Sequence, residues 1–206
     1  MYRRRAFLSI ATLLFASGPG VARTARAQSA ADTAAATSFI RATGQKLVNA
    51  INGTGSAEAK SKALTGIVDR DVDVDGIARF CLGRFWRVAT PAERTQYQQL
   101  FHHVLVLNVT AKIGDYRGVT VAVGRAVPRA EGVMVATTVT RPGKAPAEVD
   151  WLVKQIGGTP KIIDVVAEGT SLRVTQRSDY ASFMSRHNDN VAALITALRA
   201  QVAQPG

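Results

Sequence analysis

Asp164 stands between Ile163 and Val165 in an apolar run, which makes its carboxyl the group best placed to act as a general base inside an enclosed pocket. The competing role is structural, because strand aspartates usually face solvent or pair with an arginine such as Arg84 or Arg177. His102 and His103 are adjacent in a helical stretch, and neighbours on a helix do not share a face. They therefore cannot supply the i, i+4 pair of a helix-borne metal site, and His187 has no acidic ligand pattern around it, so no metal is expected. Cys81 falls inside an apolar stripe and reads as a small core hydrophobe rather than a reactive thiol. The sequence has no G-x-S-x-G and no glycine-rich phosphate loop, and Gly53-x-Gly55 is a turn. Arg173 and Arg177 are four apart on an expected helix, where they could meet a phosphate together or simply solvate a face. Trp151 can line a ligand cavity or fill the core.

The first residues have the pattern of an export leader. Arg3-Arg4-Arg5 is a charged n-region, Ala6 to Ala16 an apolar h-region too short to span a bilayer, and Ala25-Arg26-Ala27 a small-residue cleavage site. We therefore divide the chain into a signal peptide over 1–27 and a single domain over 28–206. Arg4-Arg5 also resembles a twin-arginine signal, which leaves the export route open. Removing the leader takes away five arginines and no acid, and lowers the formal net charge from +11 to +6. Export points away from nucleic acid. With a single cysteine no internal disulfide is possible, so stability must come from packing.

The elements that would position these residues follow from periodicity. Ile40, Gly44, Leu47, Val48 and Ile51 recur at helical spacing until Asn52-Gly53-Thr54-Gly55, and Ala57 to Asp69 reads as a second helix. Val74, Ile77, Ala78, Cys81, Leu82 and Phe85 form one continuous stripe. Thr90-Pro91-Ala92-Glu93 is a strong helix start, a capping box with proline at the first helical position. The helix that follows carries Tyr97, Leu100, Phe101, Val104 and Leu105 on one stripe. Val106, Val109 and Ile113 add a second face, so its later half should be buried nearly all round. From Val119 β-branched residues alternate, giving strands around Val121, Val135, Trp151 and Lys161 to Val166, with turns at Pro128 to Gly132, Arg141-Pro142-Gly143 and Gly157-Gly158. Helices return at Ser171, and Val191, Leu194, Ile195, Leu198 and Val202 form the last stripe. The fold class is α+β, a curved antiparallel sheet of about four strands covered by N- and C-terminal helices. Whether these layers enclose an apolar cavity is not given by periodicity, since cavity walls and core walls use the same residues.

Three stretches carry a family resemblance: Ile77 to Arg94, including Phe80-Cys81-Leu82-Gly83-Arg84-Phe85-Trp86; Ala147 to Trp151; and Lys161-Ile162-Ile163-Asp164-Val165-Val166-Ala167-Glu168-Gly169-Thr170-Ser171-Leu172. With Thr175 to Tyr180 and Asn188 to Leu198, the chain resembles the MlaC, or toluene-tolerance, family from about residue 35 to 200. It departs at Asn108-Val109, where relatives carry an aromatic residue, and at Gln176, where a tyrosine is common. The resemblance implies a periplasmic, non-enzymatic carrier, without cofactor and monomeric, that shelters phospholipid acyl tails between sheet and helices. It further implies exchange with an outer-membrane lipoprotein complex and an inner-membrane ABC transporter complex. On that reading the expected pocket lining is Phe85, Leu100, Val104, Leu105, Val135, Trp151, Val153 and Val165, with Arg173 and Arg177 at the headgroup or a partner. A hopanoid or other lipid as cargo, and a small cavity-containing isomerase or cyclase using Asp164 or His103 as base, are the alternatives.

Overall fold

The computed structural model describes residues 20–111 and 113–203, with side chains described from position 29 and not at 113. The expected leader lies outside the described residues as far as position 19.

Helix α1 (Gly20–Asn52) ends at the expected turn formers. Asn52 also does more than stop the helix: its side-chain amide donates to the Val119 carbonyl at 2.9 Å and accepts from Gly118 N–H at 2.8 Å, fixing the approach to the sheet. Helix α2 (Ala57–Asp71) starts at Ser56, whose hydroxyl accepts from Ala59 N–H. The stripe from Val74 to Phe85 is not one helix. Helix α3 (Val74–Leu82) stops at Gly83, where φ is +59° and ψ −128°, a conformation that L side chains rarely adopt, and a single-turn α4 (Phe85–Val88) follows. Phe85 is buried all the same, so the apolar pattern held while the helix broke.

Helix α5 (Pro91–Ala111) begins with the capping box intact: Thr90 N–H donates to Glu93 Oε2 at 2.8 Å, and Glu93 N–H donates to Thr90 Oγ1 at 3.2 Å. A 3-10 turn (Ile113–Tyr116) leads to the sheet. Strands β1 (Thr120–Arg129), β2 (Gly132–Thr140), β3 (Ala147–Ile156) and β4 (Thr159–Ala167) form an antiparallel meander, to which a two-residue β5 (Thr170–Ser171) adds a fifth edge strand in the order β1-β2-β3-β4-β5. Register shifts between Val123 and Ala126, and between Leu152 and Val153, mark bulges, which bend a sheet and strengthen its twist. Helix α6 (Leu172–Arg186) is capped by Ser171, and α7 (Val191–Ala203) buries Val191, Leu194, Ile195 and Leu198.

The interior divides in two. Ala36 and Ile40 of α1 pack on one sheet face against Val133, Val135, Val153 and Ile162. The other cluster is built from α2 to α7 and contains Cys81, Leu82, Phe85, Tyr97, Phe101, Val104, Tyr180 and Met184. Val72 touches both clusters.

Candidate functional site

The later half of α5 is where the expected burial fails. Tyr97, Phe101 and Val104 are buried, whereas Leu107 is half-buried and Val109 is 37% exposed. Opposite Leu107, α2 presents small, polar or charged residues, among them Ala57, Ser61, Thr65 and Gly66, rather than an apolar surface, and Val109 lies outside this facing wall. A methyl placed on Gly66 or Gly114 would meet nothing within 4 Å. The space left is a groove of about 1190 Å³, bordered by Leu107, Asn108, Thr110 and Ala111 of α5, by α2, and by Ile51, Arg117 and Gln201. Lys60 and Lys62 stand on its α2 side with Glu58 and Asp69. A second groove of about 740 Å³ lies between the α2–α3 junction and the middle of α5, and Asp69 lines both. There His102 Nε2 sits 2.6 Å from Asp69 Oδ1, and the exposed His103 borders the same groove with its ring centroid 5.9 Å from that of His102, so adjacency on the helix has not sent the two imidazoles apart.

The eight expected lining residues do not converge on one surface. Phe85 and Val104 are buried in the helical cluster, with Leu100 and Leu105 at its margin. Val135 and Val153 are buried in the α1–sheet cluster, with Trp151 and Val165 at its margin. Val135, Trp151 and Val165 are direct cross-strand neighbours. None of the eight borders either groove. Trp151 Nε1 donates to Thr137 Oγ1 at 2.9 Å, and that hydroxyl donates to the Val149 carbonyl at 2.7 Å, so the indole is held at the cluster's edge with its polar end satisfied.

Asp164 is a structural hub. Its Oδ1 accepts from the N–H groups of Val165 (2.8 Å) and Arg173 (3.2 Å), and its Oδ2 accepts from Ser171 Oγ (2.7 Å). These contacts tie β4 to the start of α6. The arginine beside it is Arg173, at 3.4 Å, rather than Arg84 or Arg177; the reason is that β5 turns the first turn of α6 back over β4. Arg84 pairs instead with exposed Asp189. Arg173 is further held by Glu131 Oε2 at 2.6 Å and lies over the Phe80 ring, while Arg177 stays exposed over the same ring. Of the two arginines, Arg177 is thus the one open to a phosphate. Cys81 is buried beneath them, and burial pushes its thiol up to about 12, outside the reactive range.

Sequence reading missed Asp71. It is buried, yet accepts from Thr43 Oγ1 (3.0 Å), Arg70 Nε (2.9 Å) and Lys46 Nζ (3.4 Å). Burial alone would raise its pKa, but the hydrogen bonds from Arg70 and Thr43 with the charges of Lys46 and Arg70 outweigh it and hold the carboxyl below its ordinary 3.8. The network pins the end of α2, one wall of the groove, to α1. A polar network of four residues spread between positions 43 and 71 leaves no local pattern, so only the tertiary fold reveals it.

A helix-covered antiparallel meander with an open groove between helices is a small α+β domain. The chain belongs to the MlaC family, whose model, described as MlaC protein, matches residues 41–200. It is 26% identical to the toluene tolerance protein ttg2D of Pseudomonas putida over 145 residues, which cover 69% of this chain and 67% of that protein. Its fold is similar to that of a phospholipid-binding protein from Ralstonia solanacearum solved in complex with a phospholipid. The TM-score is 0.71 at 24% identity, over 82% of this chain and 99% of that one. Among the described residues no helix is long and apolar enough to cross a membrane.

Proposed function

We propose that this protein binds a phospholipid and carries it through the periplasm, after export and removal of residues 1–27, as the soluble part of an ABC-type lipid transport system without catalysing a reaction. The single observation that carries the reading is the uncovered half of α5 beside a groove of about 1190 Å³. Ligand pockets run to roughly 300–1,000 Å³, and a two-tailed lipid needs the upper end of that range or more. Tails inserted at Leu107 would part the seam between the two apolar clusters, at which Val72 is the shared contact. On this account Leu105, Leu100 and Val104 line one side and Val135, Trp151, Val153 and Val165 the other, with Phe85 further along the helical side.

The energetics suit a carrier. Each buried methylene contributes about 0.8 kcal/mol, so two acyl chains bind firmly without a specific polar contact. Such burial makes spontaneous dissociation slow, and release then depends on a partner that opens the seam, an outer-membrane lipoprotein complex or an inner-membrane ABC transporter complex. Membership of the MlaC family and the phospholipid bound to the similarly folded Ralstonia protein support phospholipid over other lipids. The test is to purify the mature protein gently, extract it with organic solvent and identify lipids by mass spectrometry. Near-stoichiometric diacyl phospholipid is expected; protein that emerges folded and lipid-free, and takes up none from vesicles, would overturn the proposal.

A further inference from the structure

The corner where α3, α4 and α6 meet has an unusual surface chemistry. Between positions 79 and 94 the sequence places Arg79, Arg84, Arg87 and Arg94 against one acid, Glu93, whose carboxylate is engaged in the α5 cap. The guanidiniums of Arg79 and Arg94 lie over the Trp86 ring at 5.0 and 5.4 Å, and that of Arg84 lies over Phe85 at 4.7 Å. Arg177 joins them from α6, over Phe80 and against Gly83. Arg173 adds no spare charge, being matched by Asp164 and Glu131, and Arg94 donates to the carbonyls of Trp86 and Arg87. Arg79, Arg84, Arg87 and Arg177 remain exposed. Arg84 has only an exposed partner, Asp189 at 3.4 Å, a pair of the kind that solvent screens to little value.

Stacking on aromatic rings orders a guanidinium while leaving its edge donors for an anion, and a planar fork suits phosphate oxygens. Exposed apolar side chains flank these arginines in sequence: Val88, beside Arg87, is 71% exposed, and Leu172 and Val174, on either side of Arg173, are 52% and 53% exposed. Cations with short apolar side chains between them match the headgroup plane of an anionic bilayer, where phosphates meet the arginines and the apolar groups reach below them.

We infer that the Arg79, Arg84, Arg87, Val88 corner is a docking surface for anionic phospholipid bilayers. The inference rests on the carrier reading, since the complexes that would exchange lipid with the carrier sit in membranes whose surface it must approach, but it occupies a different surface. Arg94 and Leu107 are separated by about 20 Å along α5, at about 1.5 Å per residue, so the corner and the groove can be altered independently.

The experiment is co-sedimentation of the mature protein with vesicles of phosphatidylcholine alone or with about one third phosphatidylglycerol, at low salt and at about 0.5 M salt. Binding is expected only to the anionic vesicles and should be lost at high salt. Arg79→Glu, Arg84→Glu and Arg87→Glu combined should weaken it at least about tenfold. The smaller pair Arg87→Glu with Val88→Asp should weaken it in the same direction if the triple variant does not fold. Lys144→Glu with Lys154→Glu, exposed charges elsewhere, should sediment like the wild type. No binding of wild type to anionic vesicles, or an equal loss in the Lys144 and Lys154 variant, would sink the inference. Extracted lipid is measured on the same preparations: corner variants that dock poorly yet keep their lipid separate this surface from the carrier reading. An empty wild type that still docks would count against the carrier reading alone.

Discussion

The two halves of α5 share one continuous backbone and live in different surroundings. The first half is capped by Thr90 and Glu93, and Tyr97 and Phe101 sit at 5.9 Å from each other and at 6.1 and 6.4 Å from Tyr180, mostly edge-on. The Tyr97 hydroxyl donates to the Ala78 carbonyl at 2.9 Å, binding the helix to α3. The second half faces α2 across open space at Leu107, which is left partly in water, and Val109, outside that groove, is exposed as well. The difference shows that apolar content does not by itself make a core; a facing surface of suitable reach is also required. Where α2 offers small, polar and charged residues such as Ser61, Thr65, Gly66 and Lys62, Leu107 of α5 is left without an apolar partner opposite it.

The most severe way to test this contrast is truncation in each half. Phe101→Ala should cost about 3–5 kcal/mol of unfolding free energy in urea, the usual penalty for emptying a packed aromatic site. Leu107→Ala should cost under about 1 kcal/mol, because its surroundings are already open. Equal losses would erase the distinction between the halves. Leu107→Glu sharpens the functional side: phospholipid per protein after purification should fall several-fold, with stability changed by no more than about 1 kcal/mol. Retained lipid in that variant would move the binding site away from the groove.

A smaller effect concerns the opposite wall. Because the folded pKa of Asp71 lies below its ordinary 3.8, its contribution to stability is fully present above that value and is lost as pH falls through the lower folded pKa. Denaturation midpoints of wild type should therefore drop more steeply on acidification below about pH 4 than those of Asp71→Asn, which is less stable throughout. Parallel profiles would show that the network does not hold the wall. Thr90→Ala should cost about 1 kcal/mol by loss of the cap, felt in the first half of α5 alone and visible as faster amide exchange there. The least change is expected at Cys81. Its thiol, pushed up to about 12, should resist iodoacetamide at pH 8 in the folded protein and react once urea unfolds it.

Much of the scaffold was legible because local physics dictates it. The cap at Thr90, the turns at Gly157-Gly158 and Pro142-Gly143, the alternation in β2, and the burial of Cys81 all rest on neighbours within a few residues, whereas in β3 the alternation breaks at a bulge where Leu152 and Val153 are both buried. The break at Gly83 escaped the pattern because the apolar residues on both sides still point inward, and periodicity cannot tell a continuous helix from one that turns on a glycine. The eight candidate lining residues were chosen by face, and face assigns each residue to an interior without saying which of two interiors it is.

The amino-acid order alone fixed an α+β meander between helices, an apolar first half of α5 and a core thiol, since each follows from spacing and short-range hydrogen bonding. Only the tertiary structure decided that Asp164 holds α6 through Ser171 and Arg173, that Asp71 joins α2 to α1, and that the end of α5 lies uncovered beside a groove. Those outcomes depend on which surfaces meet across long stretches of chain, and a side chain's own pattern carries no record of what will stand opposite it.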